Sequence, residues 1–154
     1  MHKKNVNLVL IALSSPIQIG IYEDTILIDT ISSDKKSSDV LPIIFNDIFN
    51  TYQVEKIIYA NGPGSFMAIK IAYIFLKSIS ILKNIPLYAT DAFYFNNNEP
   101  IKAIGKLHFV KIQNEIKTQK LDMVVENNFK LPELLNYDEF TSETTPLYCI
   151  GAVG

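Results

Sequence analysis

A chain of 154 residues and 17.4 kDa can bury one substantial core, or one core and a small appendage. With 48% hydrophobic and 19% charged residues it belongs to the globular class, which excludes disorder as its dominant state. The net charge is −2 and every one of the 14 basic residues is lysine, so a direct nucleic-acid reader is disfavoured: arginine supplies the bidentate contacts to phosphate and guanine.

The first third predicts three strands. Residues 7–14 form a continuous apolar run, as in a strand buried on both faces. After the break at Ser15-Pro16, Ile17, Ile19 and Ile21 alternate with Gln18, Gly20 and Tyr22. Glu23-Asp24 is a turn and residues 25–31 are the third strand, so short connections imply an antiparallel meander. Ser37 or Ser38 is the expected cap of a helix reaching about Tyr52, with Pro42 tolerated in the first turn. Its apolar stripe is Leu41, Ile44, Phe45, Ile48, Phe49 and Tyr52.

Residues 56–60 read as a short β-branched strand and Asn61-Gly62-Pro63-Gly64 as a turn. Ser65 caps a second helix to about Leu82, closed by Asn84 and Pro86, with residues 85–89 as the next strand. That helix is apolar on nearly every side, as either a crowded core helix with exposed lysine stems or a protein–protein interface would be; the interface is favoured. Beyond the Asn96-Asn97-Asn98 loop, strands are predicted near residues 101–105, 107–113 and 115–125, a short helix at 131–136 and a last strand at 147–150. The order is βββαβαβ followed by a helix-poor βββ(α)β, which divides the chain into residues 1–95 and a reduced second unit, 96–154.

Chemistry is scarce. The lone Cys149 excludes an intrachain disulfide, and His2 and His108 are too far apart for a zinc pair, so no metal site is expected. His108 lies in an alternating pattern and is expected to face solvent. The apolar run at residues 8–13 is too short for a secretory core and no run approaches a membrane span, so a cytoplasmic location is expected. The Gly62 loop lies where backbone amides can cradle an anion, but Pro63 removes a donor, and P-loop, dinucleotide and nucleophile-elbow patterns all fail. A tight turn with Ser65 as helix cap is favoured over a phosphate site.

The run Tyr59-Ala60-Asn61-Gly62-Pro63-Gly64-Ser65-Phe66, leading into an apolar helix and then Asn84-Ile85-Pro86-Leu87, resembles the signature of the TsaB (YeaZ) family. Leu10-Ile11-Ala12-Leu13-Ser14 is similar to that family's first strand, and Val40-Leu41-Pro42-Ile43-Ile44 to its helix entry. The resemblance implies an α/β, actin-like ATPase (RNase H-like) fold, with Gly62, Pro63, Gly64, Ser65 and Phe66 as the motif loop. Where the family carries Asp-Thr-Ser this chain has Ala12-Leu13-Ser14, and Met67-Ala68-Ile69-Lys70 replaces Thr-Gly-x-Arg. Asp29, in the third strand, is a decoy for the lost carboxylate. These departures imply no catalytic residues, no cofactor and no metal.

The implied function is that of a non-catalytic scaffold in tRNA threonylcarbamoyladenosine (t6A) modification. It would support a TsaD-like catalytic subunit with a TsaE-like ATPase, form a homodimer when alone, and make no direct contact with nucleic acid or membrane. The alternatives are an active kinase or ATPase of the same fold, a peptidase, and an interaction module for another partner. On the first helix Val40, Ile43, Asp47 and Asn50 are assigned to the outer face. On the second, Lys70, Tyr73, Ile74, Lys77 and Ile81 are assigned outward and Ala68, Ala72, Phe75, Ile79 and Leu82 inward. The two outer faces together form the expected partner interface.

Overall fold

The computed structural model describes residues 2–123, 125–126 and 128–147. Strand β1 (Lys4–Ile11) is continuously buried from Val6 onward and occupies the middle of a five-stranded sheet of order β3-β2-β1-β4-β5. It pairs antiparallel with β2 (Ile17–Glu23), which pairs antiparallel with the edge strand β3 (Ile26–Ser33). On its other side β1 pairs parallel with β4 (Tyr52–Ala60), and β4 parallel with β5 (Leu87–Thr90). This meander-plus-crossover order is the mixed α/β arrangement expected from the pattern of elements.

The pleat separates two cores. Val6, Leu8 and Leu10 of β1, and Ala12 just after it, face the helices, while Val9 and Ile11, and then Leu13, face the second layer, the two-residue period of a strand buried on both sides. Helix α1 (Ser37–Thr51) buries Val40, Leu41, Phe45 and Ile48 against the first core. Helix α2 (Phe66–Lys83) buries Ile69, Ala72 and Leu76, and the Phe45 and Phe75 rings meet edge-on at 5.2 Å. It ends on Asn84 in the left-handed conformation, and the Ile85 amide returns to the Ser80 carbonyl at 3.0 Å.

Several sequence expectations shift here. The N-cap of α1 is Lys36, without a side-chain cap bond, and Ser37 is already helical. Tyr52 leaves α1 directly into β4, so no loop separates them. The inner face of α2 is rotated: the buried positions are Ile69, Ala72 and Leu76, and Leu82, expected inward, falls off that stripe and is 84% exposed. Tyr73, expected outward, is half-buried and stacks on Tyr59 at 6.2 Å. Val40, expected outward, is only 8% exposed, because the first turn of α1 tucks against the sheet.

The back of the sheet carries a smaller meander, β6 (Ile101–Lys102), β7 (Leu107–Ile112) and β8 (Glu115–Lys120). The β7–β8 hairpin turns on Gln113 and Asn114, both at positive φ, the geometry that matches strand twist in a two-residue loop. The strands expected at 101–105 and 115–125 are shorter than predicted. His108 is 3% exposed, not solvent-facing: it packs inside this layer with its Nδ1 2.8 Å from the Lys106 carbonyl.

An irregular segment then crosses the back face from one sheet edge to the other. Leu134 bridges to Ile26 at the start of β3 and Thr141 bridges to Ala89 on β5. The predicted helix at 131–136 is absent because this stretch is extended and gives its backbone to the β2–β3 hairpin: Leu27 N–H donates to Glu133 O and Leu135 N–H to Thr25 O. A single 3₁₀ turn follows at Tyr137–Glu139. Both open edges of the sheet are thereby partly covered. Of the strand expected at 147–150, only Leu147 lies within the described residues, and Cys149 lies outside them.

Candidate functional site

The Asn61–Phe66 loop is stitched into three neighbours. Asn61 N–H donates to Thr90 O at 3.0 Å, Ala92 N–H to Gly62 O at 2.8 Å, and Leu147 N–H to Asn61 O at 2.7 Å. Ser65 N–H reaches back to Leu13 O at 3.3 Å, tying the loop to the end of β1. Gly62 has φ +120°, and a Cβ there would lie 2.9 Å from the Leu147 carbonyl oxygen, so only glycine fits. The Gly62–Pro63 peptide is cis. Ser65 Oγ accepts from Ala68 N–H at 3.4 Å, as expected of the cap of α2.

These bonds decide what the loop can do. The Asn61 and Ser65 amides are given to protein carbonyls and Pro63 has none, so these three positions offer no N–H to an anion. Beside it, a cavity of about 270 Å³ is walled by Leu13, Ile101, Phe109 and Phe129, with Ser14, Ser65 and Lys102 at its rim. Among the described residues no carboxylate side chain lines it. At the end of β1 Ala12 and Leu13 are buried apolar residues, and Asp29 is exposed on the edge strand β3. Among the described residues no three metal-ligating side chains cluster.

A larger cleft of about 700 Å³ opens at the C-terminal ends of the parallel strands β4 and β5. Open α/β sheets commonly hold ligands at that end. Asn61, Thr90, Asp91, Tyr94, Lys111, Glu139, Glu143 and Thr145 contribute to its lining. Asp91 links two layers: Oδ1 accepts from Phe93 N–H at 3.0 Å and Oδ2 pairs with Lys111 Nζ of β7 at 2.5 Å. The Glu143 carboxyl lies below the usual carboxylate range, chiefly because the Thr145 hydroxyl and then the Thr145 amide bond it. Sequence reasoning found only Asn61 of this set. The available signal was Thr90-Asp91, the polar step at the end of a parallel strand.

The residues assigned to a partner face divide. Ile43, Asp47, Asn50, Lys70, Ile74, Lys77 and Ile81 are exposed, Tyr73 is half-buried and Val40 is buried. Both α1 and α2 pack on the same face of the sheet, their Phe45 and Phe75 rings in contact.

Against solved structures, the chain superposes on YeaZ from Pseudomonas aeruginosa with a TM-score of 0.55, over 76% of its own length, at 14% identity. The chain has the YeaZ fold. A second YeaZ-like structure, described as an uncharacterized protein with similarity to peptidase YeaZ from Pseudomonas aeruginosa, gives a TM-score of 0.54, also at 14% identity and 76% coverage. The chain covers 65% and 64% of these two proteins, less than two thirds of their length. No protein-family model and no curated protein matches the sequence. The shared YeaZ fold is thus carried by topology and core, at an identity too low for residue-by-residue transfer. Among the described residues no helix is long and apolar enough to cross a membrane.

Proposed function

We propose that this chain is a non-catalytic scaffold subunit in tRNA threonylcarbamoyladenosine modification, binding and supporting a TsaD-like subunit alongside a TsaE-like ATPase. The observation that carries the reading is the outer side of the helix layer. Ile43 on α1 and Ile74 and Ile81 on α2 are exposed, with Lys70 and Lys77 beside them. Large apolar side chains held on paired helices suit helix-on-helix docking, with lysine stems covering the rim. The YeaZ-like topology and the Asn61–Phe66 loop support the same reading.

The apolar lining at the end of β1 favours a scaffold over an active ATPase of the same fold. A nucleotide-bound Mg²⁺ needs oxygen ligands, and Ala12 and Leu13 offer none from their side chains. Mg-ATP therefore binds the isolated chain weakly or not at all, and sub-micromolar binding in calorimetry would favour the ATPase. The dispersed lysines give no concentrated positive patch, so tRNA contact comes through the partner, and the pure chain leaves tRNA unshifted at physiological salt.

The deciding experiment is co-expression with a TsaD-like subunit, followed by size-exclusion chromatography of the native and Ile74→Glu chains. An unpaired charge buried in the interface costs several kcal/mol of association, so the variant loses both the complex and any homodimer. At 55% exposure Ile74 contributes little to the core, so the monomer keeps its circular dichroism and melting temperature. A variant that still forms the complex refutes this surface, and a native chain that never binds refutes the scaffold reading.

A further inference from the structure

Along the outer side of α2 the exposed residues Met67, Lys70, Ile74, Lys77 and Ile81 recur at alternating steps of three and four. That is the spacing of a coiled-coil seam, and it lies opposite the buried stripe of Ile69, Ala72 and Leu76. Met67, Ile74 and Ile81 share one position of the repeat and are 60%, 55% and 70% exposed. Lys70 and Lys77 share the other, where a seam ordinarily holds a second apolar residue. A charged residue at such a position selects the partner at a cost in stability.

The charge of this helix has a single sign. Its charged residues are Lys70, Lys77 and Lys83, with no carboxylate, and Lys83 lies over the Phe49 ring at 4.5 Å. Among the described residues Lys70 and Lys77 have no ion-pair partner within 4 Å, and the exposed Glu143 acts on Lys77 only from farther away. Helix α1 is the reverse, with Asp39 and Asp47 and no lysine. A second copy of the chain fits the α2 seam poorly. Another α2 adds two more lysines to the seam and no carboxylate, and another α1 offers Ile43 as its one large exposed apolar residue, too few to match three.

We propose that α2 seats one acidic amphipathic helix of the partner subunit, its apolar residues seven apart against Met67, Ile74 and Ile81 and its carboxylates opposite Lys70 and Lys77. Charge-assisted bonds to the two ammonium groups close the seam, while the lysine stems lie along its apolar residues. The opposite charge of α1 then sets which flank of the incoming helix faces α2. The inference rests on the scaffold reading for the existence of a partner subunit, but the charge of the docking helix can be tested without that subunit.

Two synthetic helices of about 21 residues serve as probes, long enough at about 1.5 Å per residue to span α2 from Met67 to Ile81. Both are alanine-rich with isoleucine at every seventh position; one carries glutamate between the isoleucines and the other carries lysine. Each is titrated into the ¹⁵N-labelled full chain. The glutamate helix should shift the amides of Lys70, Ile74, Lys77 and Ile81 and bind about tenfold tighter than the lysine helix. The double variant Lys70→Glu/Lys77→Glu, altered at two exposed positions, should keep its circular dichroism and reverse that preference. Equal binding of the two probes, no shift on α2 with either, or a preference that survives the charge reversal would each overturn the proposal. In co-expression the reversed variant should release the TsaD-like subunit, and a complex it retains as well as the native chain overturns the acidic helix while leaving the scaffold reading in place. A native chain that prefers the glutamate helix yet never binds the TsaD-like subunit supports the acidic helix and refutes the scaffold reading.

Discussion

The two faces of the central sheet are covered by different means. The helix face carries α1 and α2, whose buried residues recur at helical spacing, from Leu41 through Phe45 to Ile48 and from Ile69 through Ala72 to Leu76. The back face carries a short meander and an irregular crossing segment, fastened by single bonds. Tyr22 Oη donates to Pro132 O at 2.6 Å, Gln18 Nε2 donates to Phe129 O at 2.9 Å, and Asn7 Nδ2 donates to Tyr137 Oη at 2.6 Å. Tyr137 Oη itself donates to the Asp24 carbonyl, and Lys56 Nζ lies 4.8 Å above the Tyr137 ring. Periodic apolar contact from two helices builds the first face, whereas the second adds hydrogen bonds between distant residues to an aromatic-rich core that includes Phe93, Phe95, Phe109 and Phe129.

The difference can be broken or sharpened by measurement. The largest effect is expected from matched core truncations, Leu76→Ala on the helix face and Phe109→Ala on the back face. Both residues are fully buried, and such truncations cost roughly 2–5 kcal/mol in urea denaturation. Equal losses with coincident transitions by fluorescence and circular dichroism mean that both faces belong to one cooperative unit. A separate early transition in Phe109→Ala would divide them.

Alkaline pH should weaken the back face selectively. Burial raises the Tyr22 phenol well above its ordinary value, and burial likewise raises Tyr137 despite the opposing bond from Asn7. A raised folded-state value means the unfolded chain loses its proton first. Stability is therefore intact below about pH 10 and falls as pH climbs beyond it. Urea midpoints between about pH 8 and about pH 11 should show this fall, and Tyr22→Phe should flatten it. An unchanged slope in that variant would place the titration elsewhere.

Smaller losses follow at single bonds. Tyr137→Phe removes the hydroxyl that accepts from Asn7, whose amide keeps its bond to the Asp24 carbonyl at 3.3 Å, for a loss of about 1 kcal/mol in the same denaturation assay. Ser65→Ala, on the helix face, removes the cap of α2 and should cost about 1 kcal/mol. If the Ser65 loss exceeded that at Tyr137, the crossing segment would be a passive cover rather than a fastening.

Much of the first face was legible before any coordinates. The unbroken apolar run of β1, the alternation in β2 and the stripe of α1 each encode their own environment, and Ser65 and Asn84 mark the ends of α2. Where the pattern was uniform it misled: α2 is apolar almost all round, so nothing in its sequence distinguishes the buried Leu76 from the exposed Leu82. His108 was misplaced because its local alternation points outward while the second layer buries it, and Val40 because helical spacing points it outward while the first turn of α1 lies against the sheet. The 131–136 stretch has helix-compatible residues, but its backbone bonds go to Thr25, Leu27 and their neighbours more than a hundred positions earlier.

The larger cleft follows the same division. Asn61 was visible as part of a glycine-rich turn, whereas the strand before the cleft was expected to end at residue 89, short of Thr90-Asp91. Bringing Lys111, Glu139, Glu143 and Thr145 around them required the second layer to fold onto the sheet. Sequence by itself determined the order of elements through β5, the burial of β1 and the lack of a carboxylate at positions 12 and 13, because each depends on residue type and near neighbours, whereas the need for glycine at position 62 comes from the distant Leu147 carbonyl. Tertiary structure alone decided which side of α2 is buried, where the crossing segment lies and which polar groups share a cleft. Those depend on contacts between residues far apart in the chain, and local periodicity carries no record of them.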